Sequence, residues 1–178
     1  MSEIDLLREA RRQWEDHWGE EPAPAMAAVT TLMRAQQILM AHLNAQLEPF
    51  DLTFARYEAL MLLYLSGNGE LPMGKIGERL QVHATSVTSL IDRLERSGYV
   101  TRVPHPSDRR TTLARITDPG RGVAEKATEL LNRDRFGMSA LSAESHEELI
   151  ELLDRIREVG GDVVSVSPDG ERVPVRAT

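Results

Sequence analysis

The apolar residues in the central part of this chain change their spacing at Gly98. Before it, over residues 83–97, they recur every three or four positions, which is the spacing of a helix with one buried side. Residues 99–103 and 111–116, after it, are interpreted with a period of two, in which successive side chains point to opposite faces as in β-strands. Glycine suits the left-handed turn that ends many helices, so we predict a helix, a cap at Gly98 and then a hairpin. The buried stripe of the predicted helix consists of Val87, Leu90, Ile91 and Leu94.

A shorter amphipathic segment, residues 74–80, precedes this helix, and Gln81 and Val82 between the two are predicted to form a turn. The connection inside the hairpin, residues 104–110, has the sequence PHPSDRR and therefore a charged tip. A short helix, a turn, a second helix and a hairpin with a basic tip together form a winged helix-turn-helix. We predict a mainly α-helical fold with a small β-hairpin wing, in which residues 53–117 form this unit.

Long helical segments flank the unit on both sides. Residues 3–18 are predicted as a leading helix, followed by a linker over residues 19–24 that contains glycine and proline. The apolar residues of segment 25–48 are spread widely around a helix, which suits a helix at the centre of a dimer. Residues 118–160 hold two more predicted helices, and the last one carries a leucine stripe without a partner in the chain. We therefore predict 25–48 and 118–160 as dimerisation helices and 161–178 as an extended or disordered tail.

Local signals place the elements between the long helix and the wing. Pro49 and Asp51 are expected to end the long helix, and Thr53 to cap the next one through its side-chain oxygen. Residues 66–69 have the sequence SGNG, a strong turn signal. Residues 70–72 are predicted as a short edge strand beside the wing.

The outer side of the predicted second helix indicates what it could contact. Its first half is lined by small hydroxylated side chains, which let a helix approach DNA base edges closely and form hydrogen bonds there. The alternative is an ordinary solvated helix face, but the turn before the helix and the basic hairpin after it favour DNA recognition. The candidate DNA-binding residues on this helix are His83, Thr85, Ser86, Thr88, Ser89, Arg93 and Arg96.

The wing tip supplies the second candidate contact. Arg109 and Arg110 are suited to a narrow minor groove, where the electrostatic potential is strongly negative. Asp108 would repel phosphate, so we expect its carboxylate to hold an arginine in place, and Asp92 on the helix to do the same from the other side. The alternative is a surface turn whose charges have no function.

These residues resemble the MarR family of bacterial transcription regulators. The resemblance is carried by three short sequences: DRLE with GYV at residues 92–100, PSDRR at 106–110, and ITDPG at 116–120. It covers about residues 25–159. It implies an obligate dimer with the winged helix-turn-helix between dimer-forming terminal helices, a recognition helix in the major groove and Arg110 in the minor groove. It also implies a regulator, typically a repressor, and in many members a small aromatic or anionic effector that weakens DNA binding.

The charge distribution agrees with DNA binding although the whole chain carries a net charge of −7. Residues 74–115 contain eight basic and four acidic residues, a net charge of +4, whereas residues 1–73 carry −6 and residues 116–178 carry −5. A basic centre between acidic ends is a local electrostatic footprint for a polyanion. The acidic ends should help to orient the approach.

Candidate effector-binding residues lie outside the winged unit, and all are weakly supported. A leading helix with Trp14 resembles the additional helix of the urate-responsive subgroup, although the other ligand residues of that subgroup cannot be placed here. Polar groups where the long helix meets the winged unit could pair with a carboxylate or phenolate. Structural packing is the alternative for each of them. The candidates are Trp14, Arg34, His42, Arg56 and Tyr57.

Composition limits the remaining classes. The chain has no cysteine, which excludes disulfides and a cysteine redox sensor, and its five histidines are too scattered to suggest a metal site. No spacing of nucleophile and base indicates an enzyme, and no cofactor is expected. No apolar run is long enough to span a membrane, so a cytoplasmic protein is expected. Two function classes remain, a DNA-binding regulator and a winged-helix module that binds protein without DNA.

Overall fold

The computed structural model describes residues 5–108 and 110–161 of the chain, and the backbone of two short strands beyond them. It forms two compact units, residues 1–137 and 138–178. The first unit contains six α-helices, two 3₁₀ turns and three strands within its described residues. The helices are α1 (Leu6–Trp18), α2 (Ala23–Leu47), α3 (Phe54–Tyr64), α4 (Met73–Leu80), α5 (Ala84–Arg96) and α6 (Asp118–Arg133), and the strands are β1 (Glu70–Pro72), β2 (Val100–Pro104) and β3 (Thr112–Ile116).

The three strands form one antiparallel sheet in the order β1-β3-β2. Its register pairs Glu70 with Arg115 and Arg102 with Ala114. Strand β1 thus lies beside the wing hairpin as an edge strand, as predicted, and β2 forms the other edge. The mainly helical fold with a small β wing is confirmed.

The core of the first unit lies between α2, α3, α4, α5 and α6, and it includes Val100 of β2 and Ala114 and Ile116 of β3. Three residues of the predicted α5 stripe, Val87, Ile91 and Leu94, are buried, whereas Leu90 is half-buried. Burying apolar side chains contributes most of the stabilisation of such a core, about 1.5–3 kcal/mol for each large one. The largest fully buried side chains are Leu47, Leu60, Leu63, Ile76, Val87, Ile91, Leu94, Val100 and Leu131.

The predicted signals around α3 are confirmed. Leu47 is followed by a 3₁₀ turn, Glu48–Phe50, and Asp51 ends that turn in the left-handed conformation with φ 51°. The Thr53 hydroxyl accepts a hydrogen bond from the Arg56 backbone N–H and so caps α3. Gly98 has φ 75°, which agrees with the predicted cap after α5.

Three predicted helix starts were wrong by one or two residues. Helix α2 begins at Ala23, so the linker is shorter than predicted, because Pro24 occupies the first turn of the helix, where a missing N–H costs nothing. Helix α4 begins at Met73. Helix α5 begins at Ala84, and His83 lies just outside it as its cap. The predicted start of α1 at residue 3 falls outside the described residues.

The second unit consists of helix α7 (Ala143–Val159) and two short strands, β4 (Val164–Val166) and β5 (Arg172–Pro174), that pair antiparallel. The Ser142 hydroxyl caps α7 by accepting a hydrogen bond from the Ser145 backbone N–H. The predicted tail, residues 161–178, lies largely outside the described residues. The two strands are extended, a conformation that valine favours.

Within the described part of the chain, every helix is too short or too polar to cross a bilayer.

Candidate nucleic-acid interface

The first half of α5 presents an exposed row of small side chains. All four hydroxylated candidates, Thr85, Ser86, Thr88 and Ser89, are exposed. The hydroxyls of Thr85 and Thr88 are engaged within the helix, because the first pairs with the His83 ring at 3.1 Å and the second donates to the Ala84 carbonyl at 3.1 Å. In the described part of the chain, Ser86 and Ser89 form no side-chain hydrogen bond. Their hydroxyls are therefore free to bond to a base edge or a phosphate.

His83 has a structural role that the residue pattern did not indicate. Its Nδ1 accepts a hydrogen bond from the Thr85 backbone N–H at 3.3 Å and thereby caps α5. Serine, threonine, aspartate and asparagine are the usual caps, so a histidine at this position gave no clear signal. The neutral ring that accepts this bond carries its proton on Nε2, which remains a possible donor to DNA.

The basic side chains around this surface fall into two groups. Arg102 and Arg115 pair with carboxylates of the chain, and Lys75 pairs with Glu78 at 2.8 Å. The second group has no carboxylate partner among the described residues, so its charges are available to a polyanion. This group consists of Arg79, Arg96 and Arg110, all exposed. Arg93 is also exposed, but its charge acts on the Asp51 carboxylate and contributes to the lowered pKa of that group. Arg109 lies outside the described residues.

Asp108 forms two hydrogen bonds within its own turn at the wing tip. Its carboxylate accepts hydrogen bonds from the Arg110 backbone N–H at 2.9 Å and from the Thr111 hydroxyl at 2.7 Å. Within the described residues, Asp108 does not pair with an arginine side chain. The Thr111 hydroxyl, followed by the Arg110 N–H, lowers the pKa of Asp108. Asp108 therefore stabilises the turn that carries Arg110, and it acts on the backbone because a short carboxylate reaches its own turn first.

Asp92 pairs with Arg102 on β2, a residue that was not among the predicted contacts. The Arg102 guanidinium donates to Asp92 at 2.6 Å and to Glu95 at 2.5 Å. Partial burial disfavours the charge of Arg102, but the hydrogen bonds to the two carboxylates outweigh it and raise its pKa. No local sequence pattern indicates this network, since the partners lie seven and ten residues apart on two different elements.

An open groove of about 450 Å³ separates the start of α4 from the wing tip. Lys75, His105 and Arg110 lie along it together with the hydroxylated Thr111 and Thr112. The backbone N–H groups at the start of α4 have no side-chain cap, since Pro72 precedes the helix. The Glu78 carboxylate also lines the groove and pairs with Lys75, so among these basic side chains Arg110 is the one without a carboxylate partner in the described residues.

The end of α5 is connected to the junction between α2 and α3. The Ser97 hydroxyl donates to Asp51 at 2.6 Å, and this bond lowers the pKa of that carboxylate. The Tyr99 hydroxyl donates to the Phe50 carbonyl at 3.0 Å. These two bonds connect the end of α5 to the 3₁₀ turn that follows α2.

The five candidate effector-binding residues have separate surroundings. The His42 ring pairs with Asp134 at 2.6 Å, an interaction that lowers the pKa of this aspartate, and the buried Tyr57 bonds to Thr128 at 2.9 Å. Within the described residues, no hydrogen bond or ring contact joins two of the five candidates. Arg34 bonds to Gln37, Arg56 pairs with Asp51, and Trp14 lies against Trp18 with 6.1 Å between ring centroids.

Comparison with known proteins agrees with this geometry. The sequence model of the MarR family matches residues 50–111. MhqR of Bacillus subtilis, an HTH-type transcriptional regulator, is 32% identical over 130 residues, which cover 70% of this chain and 86% of that protein. The structure of Sco5413, a MarR family transcriptional regulator from Streptomyces coelicolor, is 54% identical with a TM-score of 0.72, covering 78% of this chain and 96% of the other. A mutant MarR from Escherichia coli, complexed with operator DNA, shares the fold with a TM-score of 0.67 at 23% identity, covering 77% and 98% of the two chains.

Proposed function

Because the chain belongs to the MarR family of transcription regulators, and is a DNA-binding regulator with a winged helix-turn-helix, we propose that it binds a near-palindromic DNA site as a homodimer. In this proposal, α5 enters the major groove and the wing tip enters the adjacent minor groove. The two-fold symmetry of a dimer requires half-sites about one helical turn apart, roughly 10 base pairs.

One observation supports the proposed DNA contacts. The exposed, hydroxylated half of α5 lies on the same unit as three exposed arginines, Arg79, Arg96 and Arg110, without carboxylate partners among the described residues. Ser86 and Ser89 can form hydrogen bonds to base edges because their hydroxyls are not used within the chain. Arg110 projects from a turn that Asp108 stabilises, which suits insertion into a narrow groove. The contacts proposed for Thr85, Thr88, Arg93 and Arg96 rest on exposure on the same helix.

The homodimer is supported by apolar side chains that a single chain leaves in water. On α2, Val29, Met33 and Ile38 are each more than half exposed. On α7, described by itself, Leu152 is 57% and Ile156 60% exposed. Contiguous exposed apolar surface on long helices is typical of subunit interfaces. We assign residues 25–48 and 118–160 to dimerisation and residues 53–117 to DNA binding.

The effector has weaker support than the DNA contacts. The two exposed tryptophans of α1, at 39% and 64% exposure, leave aromatic surface available for a planar ligand. Titration with urate, salicylate and related acids, followed by tryptophan fluorescence and DNA affinity, would test this part of the proposal. No change in either signal for any acid, with the dimer intact, would contradict it.

Selection of duplexes from a random-sequence library by the purified protein tests the DNA-binding proposal. We expect enrichment of one near-palindromic motif, and a gel shift with the DNA flanking the gene for this protein. A protein-binding module without DNA contact, the alternative, would enrich no motif and shift no fragment. Enrichment of a single half-site with one chain bound would contradict the dimer but not DNA binding.

A further inference from the structure

We propose that Arg102 is a positioning residue for recognition, which sets the rotation of α5 relative to the wing and thereby the base contacts of its serines. The inference rests on the proposed DNA binding and identifies what controls its sequence specificity. Its basis is one guanidinium that bonds to three positions on the same helix, Thr88, Asp92 and Glu95.

These three acceptors extend along two turns of α5. The Arg102 Nη2 donates to the Thr88 carbonyl at 3.5 Å and to the Asp92 carboxylate at 2.6 Å, whereas Nη1 donates to Glu95 at 2.5 Å. Residues separated by four and seven positions lie along one side of a helix, so the guanidinium contacts a single stripe. Two short bonds to different turns restrict rotation of the helix more than one bond could.

The backbone of β2 adds a fourth bond to the same helix. The Arg102 N–H, on the free edge of the sheet, donates to the second carboxylate oxygen of Glu95 at 3.0 Å. Glu95 therefore connects to both the side chain and the main chain of one wing residue. Because the Arg102 side chain is only 27% exposed, these bonds are partly shielded from water, which strengthens them relative to surface pairs.

The exposed serines lie close to this network along the helix. Ser89 precedes Asp92 by three residues and directly follows Thr88, whose carbonyl is one of the acceptors. A change in the rotation of α5 would move the Ser89 hydroxyl relative to a base edge, and a hydrogen bond tolerates only a few tenths of an ångström before it weakens. Long arginine side chains can adjust to such a rotation and keep their contacts with phosphate. Loss of the network should therefore lower specificity more than total affinity.

The test compares Arg102→Lys with Arg115→Lys. Both changes keep the positive charge but remove the planar guanidinium group. A lysine ammonium group cannot bond to two carboxylates in the same fixed geometry. Arg115 is a matched control because it lies on the neighbouring strand and pairs at 2.6 Å with Glu70, away from α5. DNA probes are the duplex that the wild-type protein enriches from the random library and a shuffled duplex of the same composition.

We expect Arg102→Lys to weaken binding to the enriched duplex about ten-fold, the size of losing one base contact, and binding to the shuffled duplex less than about two-fold. Arg115→Lys should change the affinity for neither duplex by more than about two-fold. Equal changes in DNA affinity for the two variants would overturn the proposal. So would an equal loss on both duplexes with a flatter salt dependence, which would make Arg102 a direct phosphate contact.

The double variant Asp92→Asn/Glu95→Gln gives a second test, in which electrostatics and positioning predict different changes in DNA binding. It removes two negative charges from the DNA-facing helix, so electrostatics alone predicts tighter binding to both duplexes. Positioning by Arg102 predicts that the preference for the enriched duplex falls several-fold, even if binding to the shuffled duplex becomes tighter. A preserved preference would overturn the proposal, and circular dichroism melting confirms that each variant is folded. Absence of any enriched duplex for the wild-type protein would instead contradict the proposed function.

Discussion

At the scale of single residues, Ser89 and Arg110 should make different kinds of DNA contact. Arg110→Ala should weaken binding to specific and unrelated DNA by similar factors and reduce the slope of log affinity against log salt by roughly 1. Ser89→Ala should leave that slope unchanged and cost about 1 kcal/mol or more on the specific site only. Fluorescence anisotropy at several salt concentrations measures both. A salt-dependent, sequence-independent loss for Ser89→Ala would contradict its assignment to a base edge.

Asp108 should support DNA binding although it is negatively charged. Its carboxylate stabilises the turn through the Arg110 N–H and the Thr111 hydroxyl. Asp108→Ala should therefore weaken binding despite the gain in net positive charge. Tighter binding by this variant, measured by the same anisotropy assay, would show that the carboxylate only repels phosphate.

The same bonds set the pH dependence of the turn. Since the pKa of Asp108 is lowered in the folded chain, its stabilising effect is present above the ordinary value for aspartate, about 3.9, and is lost as the pH falls through the lowered pKa. An NMR titration of the Asp108 carboxyl carbon should give a midpoint below about 3.9. A midpoint at or above the ordinary value would contradict the two hydrogen bonds.

The residues that sequence reasoning identified are those whose role is encoded locally. Thr53 and Gly98 have their structural partners within a few positions, so a short pattern suffices to predict them. Arg102 could not be found in this way, because its carboxylate partners become neighbours only when β2 packs along α5. The pair between Asp92 and Arg102 was therefore not predicted.

At the scale of elements, the junction between β2 and α6 depends on the absence of a side chain at Gly120. A Cβ there would overlap the Tyr99 carbonyl oxygen and lie 2.9 Å from the carbonyl carbon. Gly120→Ala should thus lower the free energy of unfolding by about 2 kcal/mol, since backbone cannot move aside as a flexible side chain can.

Gly122, two residues later on the same helix, is the matched control for this prediction. A Cβ at Gly122 would meet no atom within 4 Å, and alanine favours a helix over glycine by about 0.8–1 kcal/mol. Gly122→Ala should therefore leave stability unchanged or raise it. Urea unfolding of both variants measures the difference, and equal stabilities would contradict the close packing of Gly120 against β2.

The elements themselves were largely predictable, because each has its own apolar period and its own cap. The first residues of the helices were harder to predict. Pro24 suggested a linker, but the same residue type is favoured in the first turn of a helix, and only the packing of α2 decides between the two.

At the scale of the whole molecule, exposed apolar helix surface should produce a dimer. Sedimentation should give about twice the 19.9 kDa mass of one chain. The double variant Leu152→Asp/Ile156→Asp should shift the mass toward the monomer or unfold the chain, because it places charges where apolar contact is expected. Leu65→Asp is the control, since Leu65 is 74% exposed at the end of α3, outside the assigned dimerisation helices. An unchanged dimer in the α7 variant would contradict the role of that helix.

Site-directed cleavage of the bound duplex measures how α5 is oriented toward DNA. Because the chain has no cysteine, Ser89→Cys, Arg110→Cys and Gln13→Cys each provide a single attachment point for an iron-EDTA reagent. On the enriched duplex, reagent at position 89 should cut within each half-site, and reagent at position 110 should cut in the flanking minor groove. Reagent at position 13, on α1, should give little cleavage. Equal cleavage from positions 13 and 89, or none from 89 within the bound site, would contradict the account.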